Sequence, residues 1–313
     1  MRWNLDPQGS DVALGPTWVE RSGSVPIHIH LGRSVETEDV TGSVISQIEQ
    51  VLPPHATRIT SLDFPYWSSF TLMNAIFKLC DSQGVQTLKS LGLDIALGYI
   101  QTILWSIQAL RGLVNLKLRS MHASILKMDD LARVMPNSPG LRLIELLKLR
   151  IEQGSNHYLP IFNLPDLRFL SLREISSKAL TLLLSLASPG NYGLHFEIEF
   201  YDSPMDVVDS ITLFMSNIHI VSIVLWDVKA RSVSLIEPYF SSLTLLRNLI
   251  LSAIYDRDAA DITNMLEPLM ISSPDGQVPR LPALKVLVLA VLPFTITRKT
   301  KSRNSFRFTR CVL

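Results

Sequence analysis

One phrase, Leu-x-x-Leu-x-Leu, constrains this chain more than any other feature, because it returns about every 26 residues between Ile59 and Leu292. Its copies open at Ile59, Leu88, Leu113, Leu141, Leu167, Gly193, Ile220, Leu246 and Leu284, so the steps are 29, 25, 28, 26, 26, 27, 26 and 38 residues. The fourth and sixth places carry Leu62 and Phe64, Leu91 and Leu93, Leu116 and Leu118, Ile144 and Leu146, Leu170 and Leu172, Phe196 and Ile198, Ile223 and Leu225, Leu249 and Leu251, and Leu287 and Leu289. Chance spacing in a leucine-rich chain would not hold so narrow a range. A period of this length marks a repeat architecture and sets the fold before any single residue is weighed.

The ninth place settles the register. It is Trp67, Ala96, Met121, Leu149, Ile175, Tyr201, Val228, Ile254 and Leu292, apolar every time. Two frames fit the leucines near Leu141, but only the frame opening there puts Leu149 rather than Glu152 at that place. Side chains alternate across a pleated strand, so places four and six bury together while three, five and seven face outward. Between the strands, Leu72, Ile76 and Leu79, then Ile103, Ile107 and Leu110, then Leu180, Leu183, Leu184 and Ala187 recur at helical spacing. Turn residues such as Pro136 to Gly140 and Asn163 to Pro165 lead back to the next strand. A single strand-turn-helix unit buries too few apolar side chains to offset the entropy of ordering it, so neighbours must stack and share a core. The expected fold is an α/β leucine-rich-repeat solenoid of about nine repeats, with a curved parallel sheet inside and helices outside.

Three segments follow: 1–56 as an N-terminal cap, 57–292 as the repeats, and 293–313 as a basic tail without regular structure. The cap holds a short helix containing Trp18, Val19 and Glu20, a strand-like run from Val25 to Leu31, and a helix with Val44, Ile45, Ile48 and Val51. Such a block shields the open edge of the first repeat. No polar capping repeat follows Leu292, which leads to the expectation of a truncated or altered C-terminus.

A hydrophobic content of 47% and a mean hydropathy of +0.24 raise the question of a membrane. The most apolar stretch, Val286 to Phe294, is about half as long as a spanning helix and lies on a repeat strand. The start, Met1 to Gly9, lacks a signal-peptide core. Two cysteines, Cys80 and Cys311, and no Asn-x-Ser/Thr acceptor argue against a secreted protein with disulfide caps, so the expected location is cytoplasmic or nuclear. Of 29 basic and 28 acidic residues, Arg298, Lys299, Lys301, Arg303, Arg307 and Arg310 sit in an acid-free tail. The repeats are therefore mildly acidic and make a poor nucleic-acid surface.

The segment Trp18-Val-Glu-Arg-Ser-Gly-Ser-Val-Pro-Ile-His-Ile-His-Leu31, followed by phrases without Asn at the ninth place, resembles the F-box and leucine-rich-repeat proteins of mushroom-forming fungi. The resemblance runs from about Trp18 to Leu292 and implies the substrate-recognition subunit of an SCF-type cullin ubiquitin ligase. In that family an F-box docks on the Skp adaptor and the repeats hold the target. The F-box precedes the Trp-containing segment there, yet only seventeen residues precede Trp18 here and no Leu-Pro-x-Glu opening occurs among them. No residue inherits the adaptor-binding role, so a Skp partner is expected only with an F-box encoded upstream.

Catalytic patterns are missing from the sequence: it has no glycine-rich phosphate loop, Gly-x-Ser-x-Gly elbow or His-Glu-x-x-His motif. His28 and His30 share one strand face, but no third ligand is spaced to join them, and an exposed strand face is the simpler reading. His195 with Glu197 and Glu199 has the makings of acid and base chemistry, but no nucleophile adjoins it and a solvated charged face accounts for it. Cys80 closes an apolar helical stripe and reads as a small core residue. Neither an enzyme nor a cofactor is expected.

Binding is where the repeats become specific. Places three, five, seven and eight put Lys117, Arg119, Glu145, Phe169, Arg173, His195, Glu197, Glu199, Trp226 and Asp227 on the concave face, with Asn115, Lys148 and Glu174. Mixed charges around Phe169 and Trp226 fit a protein target, because aromatic and Arg anchors supply interface hot spots. Further on, Val224, Ile250, Ala253, Val286, Val288, Ala290 and Val291 turn that face apolar, as at a partner site or where a piece of chain is missing. The second function class is a free-standing repeat scaffold, for instance a small-GTPase regulator using Arg111 or Arg173, by analogy of fold alone.

Overall fold

Alternating apolar residues fold as strands wherever the phrase falls within the residues that the computed structural model describes: 2–5, 19–31, 38–64, 70–95, 110–120, 125–152, 159–199, 207–228, 240, 243–253, 261, 281, 283–291 and 307–312. The chain is mixed α/β and divides into two compact units, Met1–Leu167 with Leu186–Ser188, and Arg168–Ser185 with Pro189–Leu313.

In the first unit the strands are β1 (Arg2–Leu5), β2 (Ile27–Leu31), β3 (Ile59–Phe64), β4 (Ser90–Ile95), β5 (Asn115–Ser120), the short β6 (Ile125–Lys127), β7 (Leu143–Leu147), β8 (Arg150–Glu152) and β9 (Phe162–Leu164). Strands β1 to β5 and then β7 lie side by side, each pair parallel. Strands β6 and β8 form a separate parallel pair. In the second unit, β10 (Phe169–Arg173) is followed by β11 (Ala187–Pro189), which pairs with β9 and brings Leu186–Ser188 into the first unit. Then come β12 (Leu194–Glu199), β13 (Ile220–Val228), β14 (Asn248–Ala253), β15 (Val286–Val291) and β16 (Arg307–Val312). Strands β10, β12, β13, β14 and β15 are parallel neighbours in that order.

Register repeats with the phrase. Leu62, Leu91, Leu116 and Ile144 stand opposite one another in the first unit, as do Leu170, Phe196, Ile223, Leu249 and Leu287 in the second. All of these are buried, so each fourth place packs on its neighbour's fourth place and forms a continuous apolar column. The hydrogen bonds repeat as well. The second-place carbonyl of Lys89 accepts from Val114 and Asn115 N–H, that of Val114 from Arg142 and Leu143, and that of Arg247 from Lys285 and Val286. Seven phrases bury both their fourth- and sixth-place residues and their opening residue; in the degenerate copy Gly193 is half-buried, and in the last Leu284 and Leu289 are.

The α-helices include α1 (Glu38–Val51), α2 (Phe70–Ser82), α3 (Met128–Val134), α4 (Ser177–Leu186) and α5 (Val208–Ser216); Val19–Arg21 are also helical, and a short 3-10 helix, Pro53–Arg58, follows α1. The stripe Leu72, Ile76, Leu79 and Cys80 of α2 is buried, and Phe77 packs on Phe64 of β3 with ring centroids 5.6 Å apart. Helix α4 buries Leu180, Leu183 and Leu184, while Ala187 has already turned into β11. Helix α5 sets Phe214 against Phe196 of β12 at 5.3 Å. Of the helix expected at 103–110 only Leu110 is described; it is buried, and Ile103 and Ile107 lie outside the described residues. Among the described residues no helix is long and apolar enough to cross a membrane.

Leu149 and Ile175, at the ninth place, are buried as the register requires, and Glu152 is not. Trp18, Trp67, Ala96, Met121, Tyr201, Ile254 and Leu292 lie outside the described residues. In the N-terminal segment β2 covers the edge of β3 and β1 in turn covers β2. Arg58 ties the block together: its Nε and Nη2 donate to the Val25 carbonyl at 3.1 and 2.9 Å, its Nη1 to the Val19 carbonyl at 3.3 Å, and its Nη2 also to Ser22 Oγ. Within the segment read as an irregular tail, Arg307–Val312 forms β16, antiparallel to β15; residues 293–306 lie outside the described residues.

Candidate functional site

Because places three, five and seven alternate away from the core, every parallel strand adds one residue to each of three rows on a single face. The two units present separate stretches of such a face.

In the first unit the fifth-place row runs Asp63, Gly92, Lys117 and Glu145, and the seventh-place row includes Asp94, Arg119 and Leu147. Arg119 of β5 donates to Glu145 of β7 through Nε to Oε1 and Nη2 to Oε2, both at 2.9 Å. This fork-on-fork pairing holds both planar groups in one orientation. The hydrogen bond to Glu145 raises the Arg119 pKa above its ordinary value. Burial raises that of Asp94, and the nearby Arg119 opposes the shift. Lys117 is half-buried. At the row's start His30 Nδ1 lies 2.8 Å from Asp63 Oδ2, while His28 is exposed opposite Ser61. A Cβ on Gly92 would sit 2.7 Å from Asp63 Oδ1, so glycine leaves room for Asp63 to lean over that position. Leu143 and Leu147 are apolar members of this face and half-buried.

In the second unit the third-place row begins Phe169, His195 and Ser222, the fifth Ser171, Glu197 and Val224, and the seventh Arg173, Glu199 and Trp226. Phe169 is half-buried and His195 exposed. Glu197 accepts a hydrogen bond from Ser171 Oγ at 3.0 Å. The seventh-place row is knit most tightly. Arg173 Nε donates to Glu199 Oε2 at 3.3 Å, and the same guanidinium reaches across β12 to lie 4.2 Å from the Trp226 ring centroid. That distance is a cation–π stack. Asp227, the next residue along β13, acts on the Glu199 carboxyl by hydrogen bonding and by its negative charge, both of which raise the Glu199 pKa.

Glu199 departs from expectation. Placed on the solvent side by alternation, it is only 7% exposed. Burial, and then the hydrogen bond and negative charge of Asp227, push its pKa up to about 7, with Arg173 pulling the other way and Glu174 adding to the rise. A carboxyl in this setting exchanges its proton near neutral pH. The expected apolar end of the face is also less open than its sequence implies: Val224 is buried, and Ile250, Val286, Val288 and Ala290 are half-buried.

All ten candidate residues thus lie on strands, three in the first unit and seven in the second. Sequence reasoning missed Ser171, Asp63, Asp94 and Gly92, although counting the fifth and seventh places in every phrase finds all four. It also took Arg173 and Trp226 as separate anchors and Glu199 as part of a solvated charged face, where the structure joins the three. Among the described residues no group of three or more His, Cys, Asp or Glu is placed to hold a metal ion. No protein-family model matches the chain, and no curated protein matches it.

Proposed function

We propose that the chain is a leucine-rich-repeat protein whose strand-borne face binds another protein, and that it catalyses no reaction itself. The observation that carries this reading is the Arg173–Trp226 stack beside Glu199 and Asp227. Arg and Trp are the residue types that most often dominate interface energetics, and a guanidinium fixed by an aromatic ring and a carboxylate loses little freedom when a partner docks. Phe169, His195 and Glu197 extend the same surface with apolar, polar and anionic contacts, and Lys117, Arg119 and Glu145 form its counterpart in the first unit. The recurring register and the second-place hydrogen bonds favour a repeat solenoid as the carrier, and a cytoplasmic or nuclear setting suits a chain with two widely spaced cysteines.

A photo-crosslinking residue at His195, compared with one at the exposed Lys178 of α4, tests the binding reading in extracts of the source cells. A protein captured from His195, absent from Lys178 and lost when Trp226→Ala is added supports it. Equal capture from both positions contradicts it.

Within this reading, we assign the protein to substrate recognition in an F-box ubiquitin ligase, with the Skp adaptor as a second partner only where an F-box is encoded upstream; the support is the resemblance carried by Trp18 to Leu31 and the repeats. The free-standing scaffold is the competing reading. Full-length messenger sequencing separates the two. An in-frame Leu-Pro-x-Glu helical block upstream supports the ligase subunit, and a stop codon immediately before Met1 favours the scaffold.

A further inference from the structure

We propose that Glu199, Asp227 and Arg173 form a proton-operated latch that holds Trp226 in place while Glu199 is protonated and loosens it when Glu199 ionises. The latch would regulate the binding face and rests on that reading only for its effect on a partner.

Geometry supplies the two states. Glu199 on β12 stands directly opposite Trp226 on β13, so the two side chains occupy adjacent positions in one row. Asp227 follows Trp226 within β13 in a left-handed backbone conformation, φ 53°, where the pairing with β14 shifts register just beyond the indole. When Glu199 carries its proton, its O–H donates to the Asp227 carboxylate and pins that corner to β12. Arg173, on the other side of β12, completes the clamp through its contact with Glu199 and its stack on Trp226. Trp226 is therefore held from both directions.

Loss of the proton removes the donor. Glu199 and Asp227 are then two interacting carboxylates, with Glu174, at φ 49° beyond β10, adding a third negative charge. Arg173 is the cation among the groups acting on Glu199; Glu197, on the same strand, is engaged by Ser171 Oγ. Like charges in a site this buried repel strongly because little water screens them. The Asp227 corner moves away from Glu199, and Trp226, its chain neighbour, shifts on the guanidinium.

The sign for stability follows from linkage. The Glu199 pKa rises from its ordinary 4.5 to about 7 in the folded chain, so between those values the folded state holds a proton that the unfolded state releases. The contribution of this group to stability therefore falls as pH rises through that window.

The test uses the full chain labelled with 5-fluorotryptophan. Its five tryptophans give separate fluorine resonances, and Trp226→Phe identifies the relevant one. The Trp226 resonance should titrate near neutral pH in the unaltered chain and stay flat in Glu199→Gln, whose amide keeps donating to Asp227. Asp227→Asn should move the midpoint down and Arg173→Gln should move it up, each by about half a pH unit or more. A resonance that does not titrate, that titrates unchanged in Glu199→Gln, or that keeps one midpoint in both Asp227→Asn and Arg173→Gln would overturn the latch. Should Glu199→Gln not fold, the opposed shifts of the other two variants decide the matter. No partner is needed, so failure here is distinguishable from failure of the binding reading.

Discussion

Lys148, Glu174 and Asp227 share a left-handed backbone, with φ of 56°, 49° and 53°, and all three occupy the eighth place of their phrase. At Lys148 and Glu174 the conformation turns the chain immediately after a strand and lets the ninth-place residue, Leu149 or Ile175, dive into the core, while at Asp227 it accompanies a register shift within β13. It costs a non-glycine residue about 1–2 kcal/mol, and a side chain branched at Cβ suffers most. Lys148 shows this most simply, since replacing it with either glycine or valine removes the same ammonium group. Lys148→Val should unfold at lower urea than Lys148→Gly, with a stability gap of about 1–3 kcal/mol. Equal midpoints would mean that the turn does not constrain the chain there. The eighth-place geometry was not legible in the sequence, because Lys, Glu and Asp have no glycine-like signature. What could be read was its consequence, an apolar ninth place.

Strands and helices were the legible level. Places one, four and six of each phrase predict which side chains go inside, and helical spacing finds α2 and α4, because both patterns are local and a period of two or 3.6 residues survives whatever surrounds it. Glu199 marks where that reasoning stops. Alternation places it correctly on the face, but its burial depends on neighbours from β10 and β13 that no local pattern reveals. Strand β16 illustrates the same limit, since pairing with β15 is a long-range choice that the basic residues of the tail do not announce. Close packing between strands also makes glycine positions unequal. A Cβ on Gly193 would fall 2.6 Å from Val221 Cγ1, a stiff branched side chain, whereas on Gly92 it would meet the tip of Asp63, a side chain 54% exposed that can shift at the expense of its His30 contact. Gly193→Ala should cost about 1–3 kcal/mol and Gly92→Ala less than about 1, read from thermal melts of the two variants side by side. The reverse order would show that the strand spacing around β12 and β13 is looser than described.

For the molecule as a whole, the repeated phrase does two jobs at once: it fills a core that neighbouring strands share, and it leaves the other face of the same strands to polar, charged and aromatic side chains. Each column of fourth-place residues is continuous within its unit, so damage at one place exposes its neighbours as well. The face has less such dependence, since solvent reaches most of its paired side chains in part, with Ser171 and Glu199 among the exceptions. The most direct test of this division compares Leu170→Asp with Trp226→Ala by circular dichroism melting. Leu170 is 4% exposed and packs opposite Phe196, so an aspartate there buries an unpaired charge and should abolish the cooperative transition. Trp226→Ala should keep a cooperative melt within about 2 kcal/mol of the unaltered chain, because the ring lies on the face and its main partner is Arg173. Equal loss of folding in the two variants would contradict the assignment of inner and outer faces on which the account rests.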